Sequence, residues 1–365
     1  MLFPYTYVPH QMERMQRFVN FIFYQIWCCA PKSGQFNLNL FDANPPLKEV
    51  LTDLYYSDKK TGNKFLEQIQ AVYQSFSQLD RREIVQLKRW YQGNNNLQAV
   101  CSNDPTAQLS RYNDIEAIDQ VLANRLSLFF KNLYCSKLLG LAALKDKIGN
   151  IDDHYKKFRK INNSGKCPFC GLEDLFNEHH KTRDAYDHYL PKSIYPFNSI
   201  NFRNLVPACH TCNSSYKTSK DPAYSKMAGQ RRAVFYPYNE TPYAIELEVT
   251  LKHADMDNLA ATDIDINFGP DNLAEELETW KDLYGIEERY KAKFLGEDDG
   301  RYWLEQVLGE WQEGGRTCSE YMSMLARNTR NRPYADCQFL KKSFLDACQQ
   351  MGLFDNLDIE QTNNL

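Results

Sequence analysis

The sequence predicts a mainly helical protein that contains a small central α+β module. Apolar residues recur at helical spacing through the first 150 residues and again after residue 272, and two Cys-x-x-Cys pairs enclose a short segment between these stretches. We therefore divide the chain into a helical N-terminal domain (1–150), a central module (151–232) and an acidic, mostly helical C-terminal region (233–365).

The N-terminal domain carries its helical pattern in three stretches. Apolar side chains lie three or four residues apart within 10–30, 63–94 and 115–145, as the buried face of a helix requires. Residues 31–62 are rich in Pro, Gly, Asn and Asp, which is typical of loops with short helices. This order predicts an all-α domain.

The C-terminal region combines two patterns. Prolines with β-branched and acidic residues between them over 233–270 predict a short strand pair, with one strand near 245–251. Helical spacing returns over 272–312, and a stripe that includes Leu340 and Phe344 predicts a last helix.

Charge is distributed unevenly along the chain. The formal net charge is -4, but residues 154–232 hold 14 Lys and Arg against 6 Asp and Glu, whereas residues 233–365 hold 12 against 26. A basic centre beside an acidic third favours a polyanionic partner for the centre. An uneven solvated surface is the alternative interpretation.

The bulk composition is that of a globular protein without a membrane span. The chain has 365 residues, of which 43% are hydrophobic, and this is enough for a sizeable core. No stretch reaches the roughly 18 uncharged apolar residues of a membrane helix, and the start of the chain lacks the basic and apolar segments of a secretory signal. We expect a cytoplasmic protein that does not bind membranes.

Four of the eleven cysteines form two spaced pairs, Cys167/Cys170 and Cys209/Cys212. Two residues between cysteines let both thiolates of a pair reach one ion, and Gly171 relieves the crowded backbone after the first pair. Together the pairs provide four thiolates, the ligand set of a closed structural Zn²⁺ site. A redox pair or unligated core cysteines are the alternatives.

The segment between the cysteine pairs holds polar residues in a particular order. Residues 186–193 read YDHYLPKS, residues 204–208 read NLVPA, and Asn213 directly follows the second pair. This order resembles the HNH nuclease family, in which Asp-His on a first strand is followed by Asn in a loop, a second strand, and Asn or His opening a helix. The resemblance covers residues 166–222.

The resemblance has implications for fold and function. It implies a ββα-metal fold and an endonuclease that hydrolyses phosphodiester bonds, in DNA more than in RNA. Within the family, the segment is similar to the nuclease subunits of bacterial anti-phage systems such as Septu. It therefore implies that the chain is the effector of a bacterial defence system.

The residue types themselves suit phosphodiester hydrolysis. A histidine with a pKa near the usual value of about 6.5 is largely neutral at pH 7 and can take a proton from water, so His188 is the candidate base. Asp187 and the side-chain carbonyl of Asn213 are candidate oxygen ligands for a catalytic Mg²⁺ or Mn²⁺. Asn204 is the candidate residue that orders the loop and orients His188.

Three basic residues near this set are candidates for phosphate contacts, namely Arg183, Lys217 and Lys220. A helix that begins near Asn213 would also aim backbone N–H groups at a phosphate. In the family the basic residue falls three positions after the helix Asn; here that position is Tyr216, and Lys217 follows one position later. One residue rotates a side chain by about 100° around a helix, so Lys217 departs from the family pattern.

Two further hypotheses concern function and partners. The alternative function is a zinc-ribbon module that binds nucleic acid or protein without catalysis. The set of Asp187, His188 and Asn213 argues against it, because such a module needs no metal-binding carboxylate beside a histidine. Since most of the chain lies outside the central module, we also expect the flanking regions to bind a regulatory partner. That partner would be an ATPase, as in the systems that the chain resembles, or a second copy of the chain.

Overall fold

The computed structural model describes residues 1–56, 60–225 and 229–355, and within these ranges the protein is mainly helical with two small antiparallel sheets. The predicted fold class, mainly α with a few short strands, is therefore confirmed. In the same ranges, no helix combines the length and the apolar character needed to cross a membrane.

Eleven α-helices lie in the described part of residues 1–161. A π-helix, Ile22–Trp27, directly continues the first of them. The helices are α1 (Glu13–Phe21), α2 (Ala30–Ser33), α3 (Pro45–Tyr55), α4 (Lys60–Phe76), α5 (Arg81–Asn95), α6 (Leu97–Cys101), α7 (Tyr112–Glu116), α8 (Gln120–Leu133), α9 (Ser136–Leu139), α10 (Ala142–Ile148) and α11 (Ile151–Ile161).

Local signals set where these helices begin. Asp80 caps α5, because its carboxylate accepts hydrogen bonds from the Arg82 and Glu83 backbone N–H groups while the Glu83 carboxylate accepts one from the Asp80 N–H. α3 lies inside the stretch predicted to be loop with short helices, yet it has 11 residues. Asn44 caps it and prolines fill its first turn. Its apolar face is buried and consists of Leu47, Val50, Leu51 and Leu54.

Two hydrophobic cores organise the protein. The first lies among helices α1 to α5 and α7 to α10 and is rich in aromatic side chains such as Trp27 and Phe129. The second contains the C-terminal residues together with Leu2 and Tyr5 from the start of the chain. The Leu2 N–H donates to the Pro168 carbonyl, which ties this first segment to the central module. The boundary predicted at residue 150 thus separates groups of helices, but the cores do not follow it.

The central module contains the shorter sheet. Strand β1 (Tyr186–His188) pairs antiparallel with β2 (Leu205–Pro207), and Asp187 lies opposite Val206. A π-helix, Thr211–Lys217, follows β2. The segment thus contains two short paired strands followed by a π-helix.

The β1–β2 pair lies where the two cores meet. Tyr186 and Leu205 pack in the first core, whereas Tyr189 and Val206 pack in the second. Each strand is thus anchored on both sides within a few residues. The polar side chains on β1 consequently lie at the junction between the two halves of the protein.

The C-terminal part contains a hairpin and five α-helices in the ranges described. Strand β3 (Glu246–Leu251) pairs antiparallel with β4 (Ile264–Gly269), which confirms the strand pair predicted near 245–251. The last helix packs against β3. The helices are α12 (Ala274–Tyr284), α13 (Ile286–Leu295), α14 (Tyr302–Gln312), α15 (Cys318–Asn331) and α16 (Gln338–Gln350).

Candidate functional site

Four cysteine sulfurs meet beside the β1–β2 pair. The Sγ atoms of Cys167, Cys170, Cys209 and Cys212 all lie within 4.8 Å of one another, and all four residues are buried. Sulfurs at about 2.3 Å from one tetrahedral Zn²⁺ ion lie roughly 3.8 Å apart. The cluster therefore has the spacing and the chemistry to hold a metal ion such as zinc.

Backbone N–H groups point at these sulfurs. The Leu172 N–H donates to Cys170 Sγ at 3.4 Å, and the Cys212 N–H donates to Cys209 Sγ at 3.3 Å. Donors of this kind favour the charged thiolate, which is the form that binds metal. Gly171, which follows the first pair, has φ +70°, a conformation that favours glycine.

β1 places the Asp187 carboxylate inside the protein. The residue is 3% exposed; its Oδ1 accepts a hydrogen bond from the Lys217 ammonium at 2.9 Å. Its Oδ2 is buried and has no hydrogen-bond partner among the residues that the structure describes. Burial raises the pKa of Asp187, and the charge of Lys217 opposes that rise. Because buried polar atoms rarely lack a partner, Oδ2 marks a position where a further group could bind.

Lys217 is completely buried, and its hydrogen bonds to described residues all lie within the central module. Besides Asp187, its ammonium donates to the His188 backbone carbonyl at 3.0 Å. A side chain without solvent exposure does not meet a phosphate at the surface. This geometry therefore does not match the phosphate contact predicted for Lys217.

A π-helical turn explains how Lys217 reaches Asp187. The Thr218 N–H donates to the Asn213 carbonyl, five residues earlier, and such a turn holds one residue more than an α-helical turn. The extra residue between Asn213 and Lys217 was expected to rotate the lysine by about 100°. The wider turn accommodates that residue, and the lysine points into the module.

The His188 ring is held by groups from two other segments. Its Nε2 lies 3.0 Å from the Ser199 carbonyl oxygen. Because a carbonyl only accepts, Nε2 carries the proton, and Nδ1 keeps the lone pair of the neutral ring. The Tyr134 ring meets His188 edge-on, with ring centroids 4.9 Å apart. Burial, assisted by the charge of Lys192, lowers the pKa of His188 to about 3. The ring is therefore neutral at pH 7.

Asn204 links the end of β1 to the loop before β2. Its Oδ1 accepts from the Leu190 N–H at 2.7 Å, and its Nδ2 donates to the Leu190 carbonyl at 3.1 Å and to the Asn198 carbonyl at 3.4 Å. The side chain is completely buried. Since Asn198 directly precedes Ser199, these bonds fix the position of the carbonyl that holds His188.

Asn213 lies within the π-helix, which begins two residues earlier at Thr211. Its N–H donates to the Cys209 carbonyl and is not available to a phosphate. The residue is half-buried and directly follows Cys212. The cysteine cluster therefore determines where the Asn213 backbone lies.

Arg183 and Lys220 have different surroundings. Arg183 forms an ion pair with Asp152 at 2.8 Å, and its guanidinium lies 5.6 Å from the centre of the Tyr186 ring. Lys220 is exposed and donates to the Asp282 carbonyl at 2.7 Å. Of the three basic residues predicted to contact phosphate, Lys220 has the most accessible side chain.

Three groups that surround or influence His188 were not predicted from the sequence. Tyr134 follows α8, more than fifty residues before His188, and no local pattern connects the two. Ser199 contributes through its backbone, which carries no sequence signal. Lys192, in contrast, belongs to the YDHYLPKS run and could have been named from it.

Comparison with known proteins finds a partial relative. A stretch of 62 residues is 36% identical to the Septu protein PtuB of Bacillus thuringiensis, and it makes up 16% of this chain. The chain matches 23% of the length of that relative. No protein-family profile and no solved structure matches the chain.

Proposed function

We propose that this chain is a metal-dependent HNH endonuclease with a ββα-metal fold, which hydrolyses phosphodiester bonds in nucleic acid and prefers DNA to RNA. The observation that carries this proposal is the pair on β1: a neutral His188 with an available Nδ1 directly follows a buried Asp187 with one unpartnered oxygen. The similarity to a Septu protein supports a role as an effector of bacterial anti-phage defence.

His188 is the proposed general base. The Nε2–H group donates a hydrogen bond to the Ser199 carbonyl. The other ring nitrogen, Nδ1, takes a proton from the attacking water. The low pKa of His188 keeps its ring unprotonated, so Nδ1 is able to accept a proton. A general base works best, however, with a pKa near the working pH. An anionic phosphodiester beside the ring favours its protonated form and so raises that pKa when substrate binds.

A catalytic divalent ion fits the polar groups of this site in part. Asp187 Oδ2 lacks a partner, and Asn213 offers a side-chain carbonyl from the π-helix. The Lys217 ammonium on the other carboxylate oxygen is a like charge and weakens the fit. Mg²⁺ or Mn²⁺ held by Asp187 and Asn213 would supply a Lewis acid that stabilises the leaving oxygen. Asn204 acts indirectly, since it positions the loop that orients His188.

The four cysteines are proposed to hold a structural Zn²⁺ ion. Four thiolates complete a tetrahedral shell and leave no position for a reacting water. Cys209 and Cys212 lie between β2 and Asn213, so the ion would fix the π-helix relative to the strands. Zinc thus contributes to the geometry of the site and takes no part in the reaction.

The substrate is proposed to be a polyanion held by basic side chains around the module. The excess of Lys and Arg in residues 154–232 supports this, and Arg183 and Lys220 are the proposed phosphate contacts. Lys217 could contact a phosphate only if its bond to Asp187 broke, because its ammonium donates to Asp187 and to the His188 carbonyl.

The alternative function, a zinc-ribbon module that binds nucleic acid or protein without catalysis, has one observation in its favour. Lys217 neutralises a carboxylate that is only 3% exposed, as in an ion pair with a purely structural role. Such a module, however, has no use for a histidine whose ring is neutral and whose Nδ1 lone pair is available to accept a proton.

Plasmid cleavage in the presence of Mg²⁺ or Mn²⁺ tests the proposal. We expect His188→Ala to lower the cleavage rate by about 10²- to 10⁴-fold, the usual contribution of a general base. His253→Ala is the matched control, because His253 lies in the C-terminal part and pairs with Asp263. Stable nucleic-acid binding without cleavage by the unaltered protein would instead establish the binding module.

We further propose that the flanking regions bind a regulatory partner, either an ATPase or a second copy of the chain. A nuclease that cuts without control would damage its own host. Purification under native conditions, followed by measurement of the assembly mass, tests this. A monomer that cleaves DNA at full rate by itself would contradict it.

A further inference from the structure

A buried arginine from the C-terminal part reaches the cysteine cluster. Arg289 lies in the first turn of α13 and is 8% exposed. Its Nη1 donates to Cys212 Sγ at 3.2 Å and lies 3.4 Å from the Tyr284 carbonyl. Buried arginines are nearly always paired with an opposite charge. Among the ion pairs of the described residues, however, none joins Arg289 to a carboxylate.

Charge balance identifies the partner of this guanidinium. Four thiolates around one Zn²⁺ ion carry a net charge of about -2, and an uncompensated charge of that size is costly inside a protein. Arg289 removes half of it. If the four cysteines were neutral thiols instead, the guanidinium would be the uncompensated buried charge.

We propose that Arg289 is a positioning residue of the zinc site: its guanidinium hydrogen-bonds a metal-bound thiolate, offsets the charge of the zinc–tetrathiolate centre and docks the C-terminal helices on the π-helix. This inference rests on the metal-binding part of the proposed function. It does not depend on catalysis.

The docking contact extends beyond the sulfur. The Arg289 guanidinium also lies 5.0 Å from the centre of the Tyr216 ring, on the π-helix that carries Asn213 and Lys217. Gly285, immediately before α13, has φ +58°, and a Cβ there would lie 2.3 Å from the Tyr216 ring. The absence of a side chain at this glycine lets the ring and α13 approach closely.

The arrangement connects the π-helix to α13 through one side chain. Cys212 and Tyr216 are on the same π-helix, so Arg289 holds it at a sulfur and at a ring one turn apart. A change at Arg289 should therefore weaken both the binding of the metal and the packing of the π-helix against α13.

Metal release measures the proposed role directly. Unaltered protein, Arg289→Met and Arg289→Lys are loaded with zinc and challenged with a chelator. We expect Arg289→Met to retain zinc about 10- to 100-fold less tightly, the usual effect of removing an outer-shell partner of a metal ligand. The zinc retention of Arg289→Lys should lie between those of the unaltered protein and Arg289→Met, because lysine keeps the positive charge but lacks the planar guanidinium. The control is Arg301→Met, whose arginine pairs with Glu297 at the surface.

Cobalt substitution provides a second readout that does not require the zinc-loaded Met variant to fold well. Co²⁺ bound to thiolates absorbs through sulfur-to-metal charge transfer, and removal of a strong hydrogen bond from one sulfur should shift that band in Arg289→Lys. Unchanged zinc retention in Arg289→Met, or an unchanged cobalt spectrum in Arg289→Lys, would overturn the proposal. If the unaltered protein holds no metal, the zinc site itself is wrong and the role of Arg289 is lost with it.

Discussion

The cysteine cluster and the Asp187–His188 pair share the same short elements, yet different parts of the chain complete them. All four sulfurs come from the central module, and their number and spacing match one metal ion. His188, in contrast, is held by Tyr134 from the N-terminal part, and Asp187 keeps one oxygen without a partner. The cysteine cluster thus has a complete ligand set for one ion, whereas the Asp187–His188 pair has an oxygen that a further group could reach.

The strongest test of this contrast removes one sulfur. We expect Cys167→Ser to lose the metal and unfold the central module, because structural zinc contributes about 10–16 kcal/mol in small zinc domains. Metal analysis and thermal unfolding measure the effect. Cys29→Ser, at an exposed cysteine, should behave like the unaltered protein. Full metal content with an unchanged melting temperature in Cys167→Ser would contradict the zinc site.

The second test breaks the buried ion pair. We expect Lys217→Met to lower the free energy of unfolding by about 3–5 kcal/mol, because it leaves the Asp187 charge buried without its partner. The double variant Asp187→Asn/Lys217→Met should regain much of that loss, since neither charge remains. Urea unfolding provides the values. Lys147→Met, which breaks an exposed pair with Glu49, should cost at most about 1 kcal/mol.

The third test uses pH. Burial lowers the pKa of His154 to about 4, below the value of about 6.5 expected in the unfolded chain. Between these values the unfolded chain binds a proton that the folded protein excludes, so stability falls as the pH drops from about 6.5 to about 4. We expect His154→Gln to reduce this loss by up to about 3 kcal/mol. An identical pH dependence of unfolding in both proteins would refute the assignment.

The smallest expected effect concerns the wall of the candidate active site. Tyr134→Leu removes an edge-on ring contact, and such contacts contribute about 0.5–1.5 kcal/mol. If the contact orients His188 for reaction, the cleavage rate should fall by up to about tenfold while zinc content stays the same. Tyr302→Leu, at an exposed tyrosine, is the control. A loss of zinc in Tyr134→Leu would mean that the two centres are not independent.

Local patterns predict what local structure decides. The cysteine pairs, the helical stripes and the strand near 245–251 all depend on spacing within a few residues, and the structure contains each of them. The length of α3 was underestimated. The segment is rich in Pro and Asn, as loops are, but here these residues cap and start a helix that has four buried apolar residues. Composition reports the average of a segment, whereas a helix depends on which positions are apolar.

The features that sequence reasoning could not predict arise from contacts distant along the chain. Tyr134 comes from the N-terminal part and Arg289 from the C-terminal part, and neither lies in a recognisable motif. The burial of Lys217 depends on a π-helical turn, which holds one residue more than an α-helical turn. Nothing in the composition of the segment distinguishes the two kinds of turn. The catalytic roles of Asp187 and His188 remain predictions that the cleavage experiment addresses.

The position of the β1–β2 pair at the seam between the two cores has a mechanical consequence. Its ladder joins three residue pairs, with anchors in both halves of the molecule. Because both cores hold the ladder, a shift of one half against the other would displace Asp187 and His188, which lie on it.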